Sequence, residues 1–110
     1  MGALIISADP FFFSERVKLI VLMARYAIPT IFANREQAEG GGLISYGASR
    51  ADAYRQAGTY VGRVLNGEKP AELPVMLSAK FELVVNSKTA QSLGIAIPTA
   101  VIARADTVIE

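Results

Sequence analysis

Lys80-Phe81-Glu82-Leu83-Val84-Val85-Asn86-Ser87-Lys88-Thr89-Ala90 is the stretch on which the reading of this chain turns. Phe81 to Val85 is an apolar and β-branched run, which predicts a strand. Asn86 or Ser87 then offers the side-chain oxygen of a helix N-cap. The short helix it opens runs to Leu93, and Gly94 ends it. Pro98 starts a last helical segment that reaches about Ala105.

Upstream, the same grammar repeats. Leu4-Ile5-Ile6 is a continuous apolar run, as expected of a strand buried on both faces. Asp9 before Pro10 suits an N-cap with proline at the first helical position. Phe13, Val17, Ile20, Val21, Ala24 and Ala27 recur at helical spacing, and Pro29 closes that helix. Thr30-Ile31-Phe32-Ala33 reads as a second strand, giving a β-α-β unit with a right-handed crossover. Asn34 to Gly42 reads as a polar loop ending in Gly40-Gly41-Gly42, and Leu43-Ile44-Ser45-Tyr46 as a third strand. Ser49 with Asp52 resembles a capping box. The helix it opens carries Ala53, Ala57, Tyr60, Val61, Val64 and Leu65 on one stripe, and Gly67 stops it. Gly58 and Gly62, one turn apart, predict a close backbone approach that offsets their cost to the helix. Pro70 to Pro74 is a surface linker. The sum is a single α/β domain over residues 1–110.

Composition narrows the chemistry. The 110 residues are 52% hydrophobic and 19% charged, which argues against disorder. Eleven basic and ten acidic residues give a net charge of +1, with no basic cluster to serve as a nucleic-acid footprint. No cysteine and no histidine are present. That removes disulfides, thiolate nucleophiles, the Ser-His pair and most transition-metal sites. No catalytic residue, metal site or cofactor is therefore expected. Val17 to Ile28 is the most apolar stretch, but Lys18 and Arg25 interrupt it and it is too short to span a membrane. Met1-Gly2-Ala3 has no basic leader region, so the chain as it stands reads as cytoplasmic.

Few residues invite a functional reading. Asp9 follows the first strand, and in open α/β sheets ligands bind outside the carboxyl ends of strands; capping and ligand contact can coexist there. Phe11-Phe12-Phe13 either stacks on an apolar ligand or packs on the core. Arg35 either pairs with a carboxylate ligand or is a surface arginine. Tyr46 is either a ligand contact or rim packing. Glu36 and Glu39 have no supporting groups for acid–base or metal chemistry and read as a solvated loop. The glycine triplet lacks the Lys-Ser/Thr of a phosphate loop and reads as a hinge or tight turn.

Taken in order, several pieces resemble a known family. They are Ser7-Ala8-Asp9-Pro10-Phe11-Phe12, Pro29-Thr30-Ile31-Phe32, Arg35-Glu36, Gly41 to Gly47, Gln56-Ala57-Gly58, Asn66 to Val75, Phe81 to Thr89 and Ala103-Arg104-Ala105-Asp106. The ordered set is similar to the C-terminal third of ABC transporter substrate-binding proteins of the tryptophan/aromatic amino acid type. The resemblance implies a Rossmann-like (flavodoxin-like) three-layer lobe of a type I periplasmic binding protein, truncated to that third. It implies a non-enzymatic solute-binding protein, a small organic solute such as an amino acid, an ABC permease as partner and a periplasmic location. Leu4–Ala33 would belong to the second lobe, Gly42–Leu65 would cross to the first, and Phe81–Val85 would return. Ala8, Asp9, Phe11, Asn34, Arg35 and Tyr46 would then face the cleft.

A lone third of such a clamp leaves apolar faces uncovered, which predicts a homodimer or higher oligomer. Two other readings stand beside the solute-binding one. The first is a remnant that self-associates and binds nothing. The second is a small flavodoxin-like enzyme or regulatory domain, for which no paired acidic pocket or nucleophile–base pair is present.

Overall fold

The computed structural model describes residues 2–75 and 80–110. Five strands form one sheet in the order β1 (Leu4–Ile5), β2 (Thr30–Phe32), β3 (Ile44–Ala48), β4 (Phe81–Asn86) and β5 (Thr107–Ile109). β1, β2 and β3 run parallel, β4 runs antiparallel to β3, and β5 runs parallel to β4. The β3–β4 pair extends from Ile44 opposite Val85 to Ala48 opposite Phe81. The chain thus leaves the sheet along β3 and returns along β4.

The first crossover is built as its sequence dictates, with one break. Asp9 is extended, and its Oδ1 accepts the Phe11 N–H at 2.8 Å, which opens α1 (Pro10–Ser14). The helix breaks at Glu15 and resumes as α2 (Arg16–Tyr26). Ala27 ends it in the left-handed region (φ 51°), before Pro29 is reached. α2 covers one face of β1–β2. Ile6, Met23 and Phe32 are buried there, with Phe12, Leu19, Ile20 and Ile28 packed around them.

Leu4–Ile6 is not buried on both faces as expected. β1 is an edge strand, and Ile5 is 77% exposed on the side away from α2. Ile31 is also exposed while its neighbours Thr30 and Phe32 are buried, the period-two pattern of a strand covered on one face. The expected polar loop from Asn34 contains a helix, α3 (Arg35–Glu39). Gln37 explains it: its Oε1 accepts the Asn34 N–H at 3.0 Å, and Gln37 and Ala38 are buried against the sheet. β5 was not anticipated; three residues carry too little periodicity to register.

Asn86 ties this half of the molecule together. Its Oδ1 accepts the Thr89 N–H at 3.0 Å, capping α5 (Ser87–Leu93). Its Nδ2 donates to the Ala38 carbonyl at 3.0 Å, and its N–H donates to Leu43 O at 2.8 Å. Thr89 Oγ1 adds a bond to Gly41 O at 2.9 Å. Gly94 then ends α5 with φ 70°, and α6 (Thr99–Arg104) follows Pro98.

Beyond the open end of β3 and β4 stands α4 (Arg50–Leu65), followed by a 3-10 turn at Pro70–Glu72. Ser49 caps α4 by accepting the Asp52 N–H at 3.1 Å. The Asp52 carboxylate serves Arg55 and Gln56 instead of closing a capping box. The apolar stripe of α4 does not enter the core: Ala53, Ala57, Val61, Val64 and Leu65 are exposed, Leu65 by 80%. No described atom lies within 4 Å of a Cβ placed on Gly58 or Gly62, so the expected backbone approach is not made among the described residues. The helix projects past the sheet, and the molecule measures 55 × 30 × 21 Å. Its radius of gyration, 17.1 Å, exceeds the roughly 13 Å of a compact domain of about 100 residues.

Two substitutions test this architecture. A Cβ on Gly47 would stand 2.2 Å from the Ala33 carbonyl oxygen, so that β3 and the end of β2 meet only because the side chain is absent. Gly47→Ala is expected to cost about 1–3 kcal/mol or to prevent folding, read from urea unfolding. Asn86→Ala removes the α5 cap and one of the two hydrogen bonds to the Ala38 carbonyl, which keeps the Gly41 N–H at 3.1 Å. It is expected to cost about 1–3 kcal/mol by the same measurement.

Candidate functional site

Parallel strands that end together create the site. Ser7-Ala8-Asp9 follows β1, Asn34 lies two residues past β2, and Ser49-Arg50 follows β3. Carboxyl ends of parallel strands are where open α/β sheets bind ligands. Here they frame an open cleft of about 300 Å³ lined by Ala8, Asp9, Pro10, Phe13, Asn34 and Arg50. That volume is at the small end of the roughly 300–1,000 Å³ of ligand pockets.

The cleft combines an apolar floor with sparse polar groups. The half-buried Phe13 ring carries two guanidiniums, Arg50 at 4.3 Å and Arg16 at 4.4 Å from its centroid. Arg16 Nη1 also donates to Phe13 O at 3.0 Å, which holds it to the backbone. Asp9 contributes a carboxylate whose Oδ1 is used in capping α1. Asn34 contributes a side-chain amide at the start of α3.

Three of the six expected cleft residues come together here: Ala8, Asp9 and Asn34. The other three lie elsewhere. Phe11 is 65% exposed and packs edge-on against Phe12 at 5.8 Å, on the α1–α2 surface. Tyr46 stacks on Phe81 at 6.0 Å across the β3–β4 pair. Arg35 is held by Glu39 at 3.0 Å and Glu82 at 3.2 Å. Phe13, one of the three phenylalanines open to either ligand stacking or core packing, lines the cleft, and Arg50 is the lining residue for which no sequence signal was read. Arg50 was hidden because the third strand was read as ending at Tyr46, whereas β3 runs to Ala48 and brings the chain to the cleft at Arg50.

Beside the cleft lies an ion-pair cluster that fixes α3 to β4. Ser49 hydrogen-bonds Glu82, and with Arg35 it holds that carboxyl below its ordinary range against the opposing effect of burial. Arg35 is raised in turn, chiefly by its bond to Glu82. Glu36 and Glu39, three apart, sit on α3, and Glu39 is paired with Arg35. Among the described residues no group of three acidic, histidine or cysteine side chains could hold a metal.

The family model for ABC transporter substrate-binding proteins matches residues 1–109. The chain belongs to that family. Solved structures agree with the assignment. A conserved domain protein from Vibrio cholerae is 32% identical, with a TM-score of 0.85 over 97% of this chain and 35% of its own length. An ABC domain from Streptococcus pneumonia, solved in complex with L-Trp, is 30% identical, with a TM-score of 0.89 over 99% of this chain and 37% of its own. A ligand-free, open substrate-binding protein with adhesive properties from Clostridium difficile shares the fold at 22% identity and a TM-score of 0.64 over 98% of this chain and 36% of its own. The chain therefore spans about a third of the length of these structures. A search of curated proteins found no match. The α/β lobe of a periplasmic binding protein is thus the fold, carried on a sheet with one antiparallel junction.

Glu82 gives a pH test of the cluster. Its folded-state value lies below the ordinary 4.5. The stability it contributes is present above 4.5 and is lost as pH falls through the lowered value. Glu82→Gln is expected to lower stability at neutral pH and to flatten the acid limb of a stability–pH curve below 4.5, measured by urea unfolding across that range.

Proposed function

We propose that this chain forms one wall of a solute-binding component of an ABC import system, taking a small organic solute such as an amino acid for delivery to an ABC permease. The observation that carries the reading is the cleft at the joined carboxyl ends of β1, β2 and β3, in a chain of this family. Phe13 supplies an apolar surface, and Asp9, Asn34 and Arg50 supply polar groups around it. The Streptococcus pneumonia neighbour with L-Trp supports an amino acid as the solute class. Residues 1–110 act as a single domain equivalent to the C-terminal third of such a protein, with α4 reaching toward a first lobe. The role is transport rather than catalysis, and the family points to a location outside the cytoplasmic membrane. No helix among the described residues is long and apolar enough to cross a membrane.

A self-associating remnant is the second reading, and the apolar side of α4 favours it. Tyr60, Val61, Val64, Leu65, Leu73 and Val75 line a shallow apolar depression of about 560 Å³. A surface of that kind favours burial against a second copy.

Thermal melting of the 110-residue protein against the twenty standard amino acids, starting with L-tryptophan, separates the readings. A ligand at 100 times its Kd is expected to add about 2.7 kcal/mol of stability and raise Tm by several degrees. Unmoved melting with every solute, together with a dimeric mass by light scattering, would establish the remnant instead.

A further inference from the structure

Resting on the cleft as the solute site, the geometry points to Arg50 as the group that recognises the solute, by a paired contact with a carboxylate. Four arginines are already engaged. Arg16 donates to a carbonyl, and Arg35, Arg55 and Arg63 pair with carboxylates. Arg50 has no hydrogen bond and no ion pair among the described residues, yet it is half-buried and lines the cleft. Its guanidinium lies 4.3 Å from the Phe13 ring centroid and 6.0 Å from that of Tyr54. Aromatic contact of this kind orients the planar fork and leaves its N–H edge available to a planar anion.

Local electrostatics argue the same way. Arg50 is the first residue of a 16-residue helix, where the exposed N–H groups favour an anion and oppose a cation. Asp52, the acidic residue of that first turn, is spent on Arg55 and Gln56. A cation set against its helix end, with aromatic rings but no anion beside it among the described residues, is a local conflict of the sort that functional positions carry. An incoming carboxylate resolves it by pairing with the guanidinium. Asp9, the one carboxylate lining the cleft, is not paired with Arg50, so the two charges remain separate features of the site.

The test compares each standard amino acid with its α-carboxamide, in which the anionic group is neutral and the rest is unchanged. Calorimetric titration of the intact chain is expected to show saturable binding of at least one acid and an affinity about 10- to 100-fold weaker for its amide. Arg50→Gln should weaken the acid by about the same factor and abolish the preference. Arg50→Lys should recover part of it, because a point charge replaces a fork. Circular dichroism checks that the variants fold, and the acid–amide comparison on the unaltered protein does not depend on them. Equal affinity for acid and amide, or a preference that survives Arg50→Gln, overturns the role of Arg50 and leaves the cleft reading standing. Absence of binding by every acid, or amide-proton shifts in NMR that avoid Ala8, Asn34 and Arg50, overturns the cleft reading and this inference with it.

Discussion

The buried carboxamide of Asn86 holds three elements at once. It ends β4, caps α5 and satisfies a carbonyl of α3, while its own N–H pairs with the chain entering β3. Each of these polar groups is removed from water and would be costly if left alone. The Ala38 carbonyl, which also accepts the Gly41 N–H, ties α3 to the end of β4 through the Asn86 amide. The position of α3 sets that of Asn34, which begins it and faces the cleft. A residue that lines the cleft is thus tied to a hydrogen bond made near the far end of its helix.

The other constraint is steric. Gly47 lets the Ala33 carbonyl oxygen occupy the space a Cβ would need, 2.2 Å from where that atom would stand, so β2 and β3 draw together where they end. Ser49 caps α4 and helps keep Glu82 ionised, and Arg35 clasps that carboxylate from α3. This small polar cluster stiffens the end of the sheet from which the cleft opens. It accounts for Arg35, whose charge is paired with Glu39 and Glu82, and contrasts with Arg50, which has no ion pair among the described residues. Two arginines close in sequence to strand ends thus differ in whether a carboxylate stands opposite among the described residues.

α4 departs from the behaviour of a core helix. Its stripe has the right period, and a stripe of that kind normally predicts burial. Here it extends past the sheet, and the surface it offers has no partner among the described residues. The same holds for Ile5 and Ile31 on the uncovered face of the sheet. The chain covers about a third of the length of its structural relatives, and these apolar faces are uncovered among the described residues.

Local signals determined much of this protein from its sequence. Asp9-Pro10, Ser49 and Asn86 opened helices where capping chemistry requires, Gly94 closed one, and β-branched runs marked β2 and β4. The ordered pieces from Ser7 to Asp106 were enough to name the family; Asp9 was a candidate from the rule that ligands meet strand carboxyl ends, and Ala8 and Asn34 were candidates only through the family resemblance. Tertiary structure decided the rest. Whether Leu4–Ile6 is covered on one face or two depends on neighbours, not on its residues. α3 needed the Gln37 side chain to turn inward, and β5 needed β4 to pair with. Arg50 reached the cleft only because β3 is two residues longer than its apolar run and ends beside β1 and β2. Caps and periods are short-range physics and are legible along the chain. Burial, pairing and the company a charge keeps are set by residues far apart in sequence, and only the folded sheet brings them together.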